Sequence, residues 1–273
     1  MIKKYLMINI GFIGVGLVSQ LCHLPCFSED KRIRLAAVSD INKQILEKVS
    51  KKYSIKNQYI NYKEMISKCE LDAVVLAANR NKMEKISEDI LKNKINLFVE
   101  KPQAFTYAKA KYLNKLSKQN KVAYVIGYMK RFDNGIIFLK NLLASKKFGK
   151  IETAYYENFL GDSYENPFEY FKIKQIKQNK KKKNLNNKNK FLNSFCHNIN
   201  MLRFLIGDIN YKSVNSNLFD KIKGEGVTSF KIKNSKIVLN CKYGDGKKWH
   251  EYLQLNCEKA KIIVKFPTPL KKI

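Results

Sequence analysis

Residues 5–13 (YLMINIGFI) form an almost wholly apolar run, and Gly14-Val15-Gly16 breaks it at once. A short apolar run closed by a turn signal reads as a central parallel strand, buried on both faces. A helix-compatible stretch begins near Leu17, so the connection is spaced Gly14-x-Gly16-x-x-Ser19. This order of strand, glycine turn and helix constrains the chain more than any other feature. The first glycine permits the tight turn, the second lets backbone approach a pyrophosphate, and a small third residue lets helix pack on strand. The helix start would then offer free N–H groups and a positive dipole end to phosphates.

The pattern continues in the same style. Ile33 to Val38 is a second apolar strand ending in Ser39-Asp40, and 42–52 is amphipathic at helical spacing. A short helix at 61–68, a strand at 72–78 (DAVVLAA), a helix at 82–93 and a strand at 95–99 follow. Pro102 bars extension of that last ladder. A helix over 107–119 leads to a strand at 122–126, closed by Gly127. Strands alternating with helices of this length imply βαβ units with right-handed crossovers, hence a doubly wound α/β domain over 1–126.

The remainder, 127–273, changes character. A helix at 135–146, a strand at 151–159 and a helix at 193–206 precede strand-like runs at 211–219, 225–232, 236–243, 249–257 and 260–266. Successive strands without helices between them predict an α+β domain with an open mixed or antiparallel sheet. Between these parts, 172–190 carries nine lysines and no acid, without an apolar period. Such a segment buries too little surface to offset its ordering entropy and reads as a mobile loop.

The formal charge of +30 would ordinarily suggest a polyanion partner. However, five arginines stand against 48 lysines, and asparagine and isoleucine are also abundant. Specific phosphate and base recognition recruits the arginine fork. The charge therefore reads as compositional drift, with no specific nucleic-acid partner. The six cysteines form no CxxC pair, so neither a metal site nor a disulfide framework is expected, and a cytoplasmic protein is. Lys3 and Lys4 ahead of an apolar run imitate a secretory signal, but no small-residue cleavage site follows and the run is too short to span a membrane.

Asp40 ends the second strand 24 residues beyond Gly16, where an acid can bind the adenosine ribose hydroxyls. That favours NAD, since a carboxylate repels a 2′-phosphate, with NADP left as the alternative by Lys43. A structural βα turn with Asp40 capping the next helix is the competing reading. Glu100-Lys101-Pro102 directly follows a parallel strand, so its charged pair points into the crevice where such sheets bind ligands. A lysine there can bond a substrate hydroxyl and stabilise developing oxyanion charge.

Together, IGFIGVGLVSQLCHLP, DINKQ, LDAVVLA, LFVEKP, GYMKRFD, FGKIETA and CHNINMLRFLIGD resemble the Gfo/Idh/MocA oxidoreductases in order and spacing. The resemblance implies an N-terminal Rossmann domain and a C-terminal α/β domain whose open sheet supports homo-oligomer contacts. It implies hydride transfer between nicotinamide and a hydroxyl-bearing carbon of a sugar, sugar derivative or cyclitol. Gly14, Gly16, Val18, Asp40, Ala77, Glu100 and Lys101 would then lie on the cofactor side. Lys101 would contact substrate, and His197 would be the general acid/base, with an unperturbed pKa of about 6.5 suited to that role. His23 matches a family position on the first helix and reads as structural. Departures stand beside these matches. Asn193, one turn before His197, replaces an aspartate of many relatives and cannot carry a proton. Ala78-Asn79 and Met83 replace a threonine-proline and a histidine. These departures leave open a nucleotide-binding but catalytically impaired sensor or subunit, and the charge leaves open a polyanion binder.

Overall fold

The computed structural model describes residues 7–160, 187–213, 215–217, 226–245 and 250–266. The chain divides into two compact units, Met1–Gly127 and Tyr128–Ile273. In the first, six strands form one sheet: β1 (Ile8–Ile13), β2 (Ile33–Ser39), β3 (Asn57–Tyr59), β4 (Ala73–Leu76), β5 (Asn96–Val99) and β6 (Tyr124–Ile126). Their order is β3-β2-β1-β4-β5-β6, and every pair is parallel. Helices α1 (Leu24–Glu29), α2 (Lys43–Lys52), α3 (Tyr62–Lys68), α4 (Arg80–Lys92) and α5 (Tyr107–Gln119) alternate with them. This is the doubly wound Rossmann arrangement that the sequence predicts.

Consecutive strand residues feed two apolar clusters, as a sheet covered on both faces requires. Val74 and Leu76 of β4 join Ile13, Leu97 and Val99 in one cluster. Val75 joins Ile10, Phe12 and Val38 in the other. The helices start where small polar side chains can satisfy free N–H groups. Asn42, Asn61 and Asn79 accept from Ile45, Lys63 and Asn81, and Thr106 accepts from Lys109.

Two local features depart from expectation. The helix after the glycine turn begins with α-helical Leu17–Val18 and then passes through a π-helical turn, Ser19–His23, before α1 begins. Pro25 explains the change, since it has no N–H to donate to the carbonyl four residues earlier. Strand β3 has no signature in the sequence, because Asn57-Gln58-Tyr59 lacks apolar alternation. It is an edge strand, paired only to β2, and Asn57 Nδ2 donates to Ala36 O at 3.0 Å.

The second unit holds α6 (Asn134–Ala144), β7 (Ile151–Leu160), α7 (Asn187–Ile206), β8 (Asn215–Asn217), β9 (Gly226–Lys231), β10 (Val238–Asp245), β11 (His250–Cys257) and β12 (Lys261–Phe266). The sheet runs β12-β11-β7-β10-β9-β8. Its β7–β10 pair is parallel and the others are antiparallel, so the sheet is mixed. Its core lies on one face, where Ala154, Tyr156, Leu239, Leu253 and Leu255 meet Ile136 and Leu139 of α6 and Met201, Leu202 and Leu205 of α7. Of the run expected as a strand over 211–219, Tyr211–Ser213 form a 3-10 turn and Asn215–Asn217 form the short β8, and the rest lies outside the described residues. Most of the lysine-rich segment expected as a loop over 172–190 lies outside the described residues. Its last four residues belong to α7, a correction explained by the good helix propensity of lysine and by the ease of extending a helix already nucleated. No helix among the described residues is long and apolar enough to cross a membrane.

Candidate active site

The first sheet reverses its winding between β1 and β4, and the turns after these two strands flank the switch point where such sheets bind ligands. Gly14 follows β1 with φ of 81°, a left-handed conformation that favours glycine. A Cβ there would lie 2.7 Å from Ala77 O and from the Ala78 backbone. Gly14 is therefore required by the fold itself, and its N–H donates to Ser39 O at 2.8 Å. Gly16 is different: a Cβ there would meet nothing within 4 Å. The backbone at Gly16 faces open space, which is what a phosphate-bearing ligand needs for close approach.

The small third residue of the motif is fully buried, and Ser19 Oγ donates to Gly14 O at 2.5 Å. Gln20 Nε2 donates to Val15 O at 2.7 Å. From the neighbouring strand, Asp40 Oδ2 accepts from Val15 N and Oδ1 from Asn42 N, both at 2.9 Å. One carboxylate thus braces the glycine turn and the start of α2. It has about four lone-pair sites, so it can still accept from ribose hydroxyls. Val18 is 44% exposed and Ile41 is 89% exposed beside this turn, so apolar surface borders it.

Glu100 and Lys101 leave the end of β5. Glu100 N donates to Leu76 O at 2.9 Å, which ties this corner to β4. Glu100 Oε1 lies 2.8 Å from His23 Nε2, and Oε2 accepts from Lys101 N at 3.2 Å. His23 also packs edge-on against Phe98, with centroids 5.3 Å apart. A Cβ at Gly127 would sit 3.2 Å from Glu100 Oε1, so the carboxylate is confined on that side as well. The Lys101–Pro102 peptide is cis, and Lys101 is half-buried. Gly14, Gly16, Asp40, Ala77, Glu100 and Lys101 thus occupy the carboxyl ends of β1, β2, β4 and β5. Of the departures, Asn79 caps α4 and Met83 is buried in the core.

In the second unit, Asn193 and His197 lie four residues apart on α7. His197 is 8% exposed and meets the edge of the Tyr128 ring at 6.2 Å between centroids. Burial pushes the Tyr128 phenol up to about 12.

Sequence reasoning passed over two groups of residues. It set His23 aside as structural, and only the fold shows its contact with Glu100. It also missed a buried polar cluster in the second unit, formed by Lys130, Tyr156, Asn198 and Glu251. One signal was legible: Glu251 falls in phase with Leu253, Leu255 and Cys257, on the inward side of a strand with period two.

Residues 8–128 match the Gfo/Idh/MocA family, described as an oxidoreductase family with an NAD-binding Rossmann fold. An inositol 2-dehydrogenase of Salmonella typhimurium is 26% identical over 146 residues, which are 52% of this chain and 43% of that enzyme. The chain therefore spans less than half the length of that relative. Among solved structures, scyllo-inositol dehydrogenase from Lactobacillus casei with bound NAD(H) and scyllo-inositol superposes with a TM-score of 0.78 at 17% identity. That match covers 98% of this chain and 78% of the other. The WlbA dehydrogenase from Bordetella pertussis, in complex with NADH and UDP-GlcNAcA, also reaches 0.78 at 17% identity, over 96% and 74% of the two chains. At such identities the structural likeness establishes the fold.

Proposed function

We propose, from the match of residues 8–128 to the Gfo/Idh/MocA oxidoreductase family, that this chain is an NAD-dependent oxidoreductase acting on a secondary hydroxyl of a cyclitol, sugar or sugar derivative. The observation that carries the reading is the open space over Gly16 beside the Asp40-braced turn. The residues there fit a dinucleotide: glycine backbone for the pyrophosphate, Asp40 for the adenosine ribose, Val18 and Ala77 along its path, and Glu100 toward the nicotinamide ribose. Those residues would hold NAD, which would supply the hydride acceptor or donor for the carbinol carbon.

The chain's own residues would handle the hydroxyl. Lys101 would donate to its oxygen and stabilise the alkoxide charge that develops as the O–H proton leaves or, in reduction, as hydride reaches the carbonyl carbon. His197 takes the hydroxyl proton in the oxidative direction and gives it back in the reductive one. Asn193 can orient a neighbouring hydroxyl, with its carboxamide both donating and accepting. The inositol 2-dehydrogenases among the similar proteins, and the UDP-GlcNAcA held by the WlbA dehydrogenase, support the substrate class.

The test is NAD-linked turnover across cyclitols, free sugars and nucleotide sugars, at moderate salt to suppress generic charge attraction. The reading expects NADH formation with at least one of them. Tight NADH binding without turnover on any would favour the binding-only alternative that Asn193 motivates.

A further inference from the structure

The second unit holds an ion pair that the proposed chemistry does not use, with the carboxylate buried and the Lys130 side chain 16% exposed. Lys130 Nζ donates to the Glu251 carboxylate and, at 2.8 Å, to Asn198 Oδ1. Tyr156 OH donates to the same Glu251 oxygen at 2.5 Å. Glu251 is 1% exposed and Asn198 fully buried. Burial pushes the Lys130 ammonium below its ordinary value, with Glu251 opposing that shift. Such a pair recovers little of its desolvation cost, and apolar residues of similar size often serve stability as well. Its presence therefore calls for a role other than net stability.

The neighbouring contacts supply one. Lys130 belongs to a 3-10 turn, Met129–Phe132, whose members and cap meet one stretch of α7 at successive points. Tyr128 packs edge-on against the His197 imidazole, with an interplanar angle of 83°. Lys130 holds Asn198, the next residue. Arg131 Nε donates to Asn200 Oδ1, and its guanidinium lies 5.4 Å from the centre of the Phe204 ring. Apolar contacts alone allow a helix to slide or turn, and one residue of rotation swings a side chain by about 100°. A charge-assisted bond at Asn198, anchored to the sheet through Glu251, fixes that rotation at the residue beside His197.

We propose that residues 128–131 form a positioning clamp for the His197 imidazole, with the Lys130–Glu251 pair as its fixed point. Lys130 is a positioning residue in this account, and the proposal rests on the acid/base role given to His197 above.

The experiment compares the wild-type chain with the double variant Lys130→Met/Glu251→Leu. Removing both charges leaves no uncompensated ion in the core, so the double variant keeps its fold. Lys130→Met alone strands Glu251 and lowers Tm. In the double variant, NADH affinity and substrate KM stay within about threefold, while kcat falls by about 100-fold from misplacement of the acid/base. A second readout needs no activity. The chain has only three histidines, His23, His197 and His250, so selective His and Tyr labelling can resolve the proton–proton contact between the His197 and Tyr128 rings by NMR. His197→Gln assigns the signal. The clamp predicts that this contact is present in the wild type and lost in the double variant. A retained ring contact, or wild-type kcat in the folded double variant, overturns the proposal. If the wild-type chain oxidises no alcohol, the functional reading fails by itself, and the ring contact alone decides the clamp.

Discussion

The Asp40 carboxylate accepts the backbone N–H of Val15 at 2.9 Å, joining the end of the second strand to the turn after the first. The acid proposed to select the cofactor therefore also shapes the loop that would hold it. Asp40→Ala removes both effects. A hydrogen bond to a charged group contributes about 1.5–3 kcal/mol, so NADH should bind about 10- to 100-fold more weakly by calorimetry. The preference for NADH over NADPH should disappear with it. An undiminished preference would show that selection lies elsewhere.

The two glycines of the turn separate fold from function. Gly14→Ala forces a side chain into a left-handed conformation against the Ala77 and Ala78 backbone. It should cost at least about 1–3 kcal/mol in urea unfolding. Gly16→Ala meets no protein atom. It should leave the unfolding midpoint unchanged while NADH affinity falls at least about tenfold, a loss of about 1.4 kcal/mol. Equal stability losses in the two variants would contradict this division.

Glu88 links α4 and α5, accepting from Lys109 Nζ at 2.6 Å and pairing with Lys92 Nζ at 2.6 Å. The bond from Lys109 and then that from Lys92 hold its carboxyl at about 2, against about 4.3 for an unperturbed glutamate. A lowered folded-state pKa contributes stability that is fully present above about pH 4.3 and lost as pH falls toward about 2. Glu88→Gln should cost about 1 kcal/mol at neutral pH. The gap between variant and wild-type melting temperatures should close across that acid window. A gap independent of pH would rule out the carboxylate as its source.

Much of this architecture was legible in the sequence because the first unit obeys one rule repeatedly. Apolar strands of four to seven residues ending in turn signals cannot be satisfied outside a covered parallel sheet. The polar edge strand at Asn57–Tyr59 escaped because its pairing is backbone to backbone, and its side chains carry no alternation. The glycine turn and Asp40 were readable from spacing alone. The contact of His23 with Glu100 was not, because it joins residues 77 apart, one in the π-helical turn after β1 and one just past β5. Lys130 was hidden among 48 lysines, and only the inward phase of Glu251 pointed to a buried cation opposite it.

Tyr156 offers a test of that buried cluster apart from catalysis. Its hydroxyl donates to Glu251 at 2.5 Å in the core, and burial, then Glu251, raises its phenol well above the ordinary tyrosine value. Tyr156→Phe keeps the ring and removes the donor. The loss should be about 1.5–3 kcal/mol in denaturant unfolding. A variant as stable as the wild type would mean that Lys130 alone satisfies the carboxylate.

The role of Lys101 is tested by comparing wild type with Lys101→Met for both NADH binding and NAD-linked turnover of the best alcohol found. Lysine and methionine have similar length, so the exchange removes the charged donor and little else. Loss of one donor at a developing oxyanion costs about 100- to 1,000-fold in kcat. The variant should lose that much turnover and keep NADH affinity within about threefold of wild type. Equal turnover by the two proteins would contradict that role.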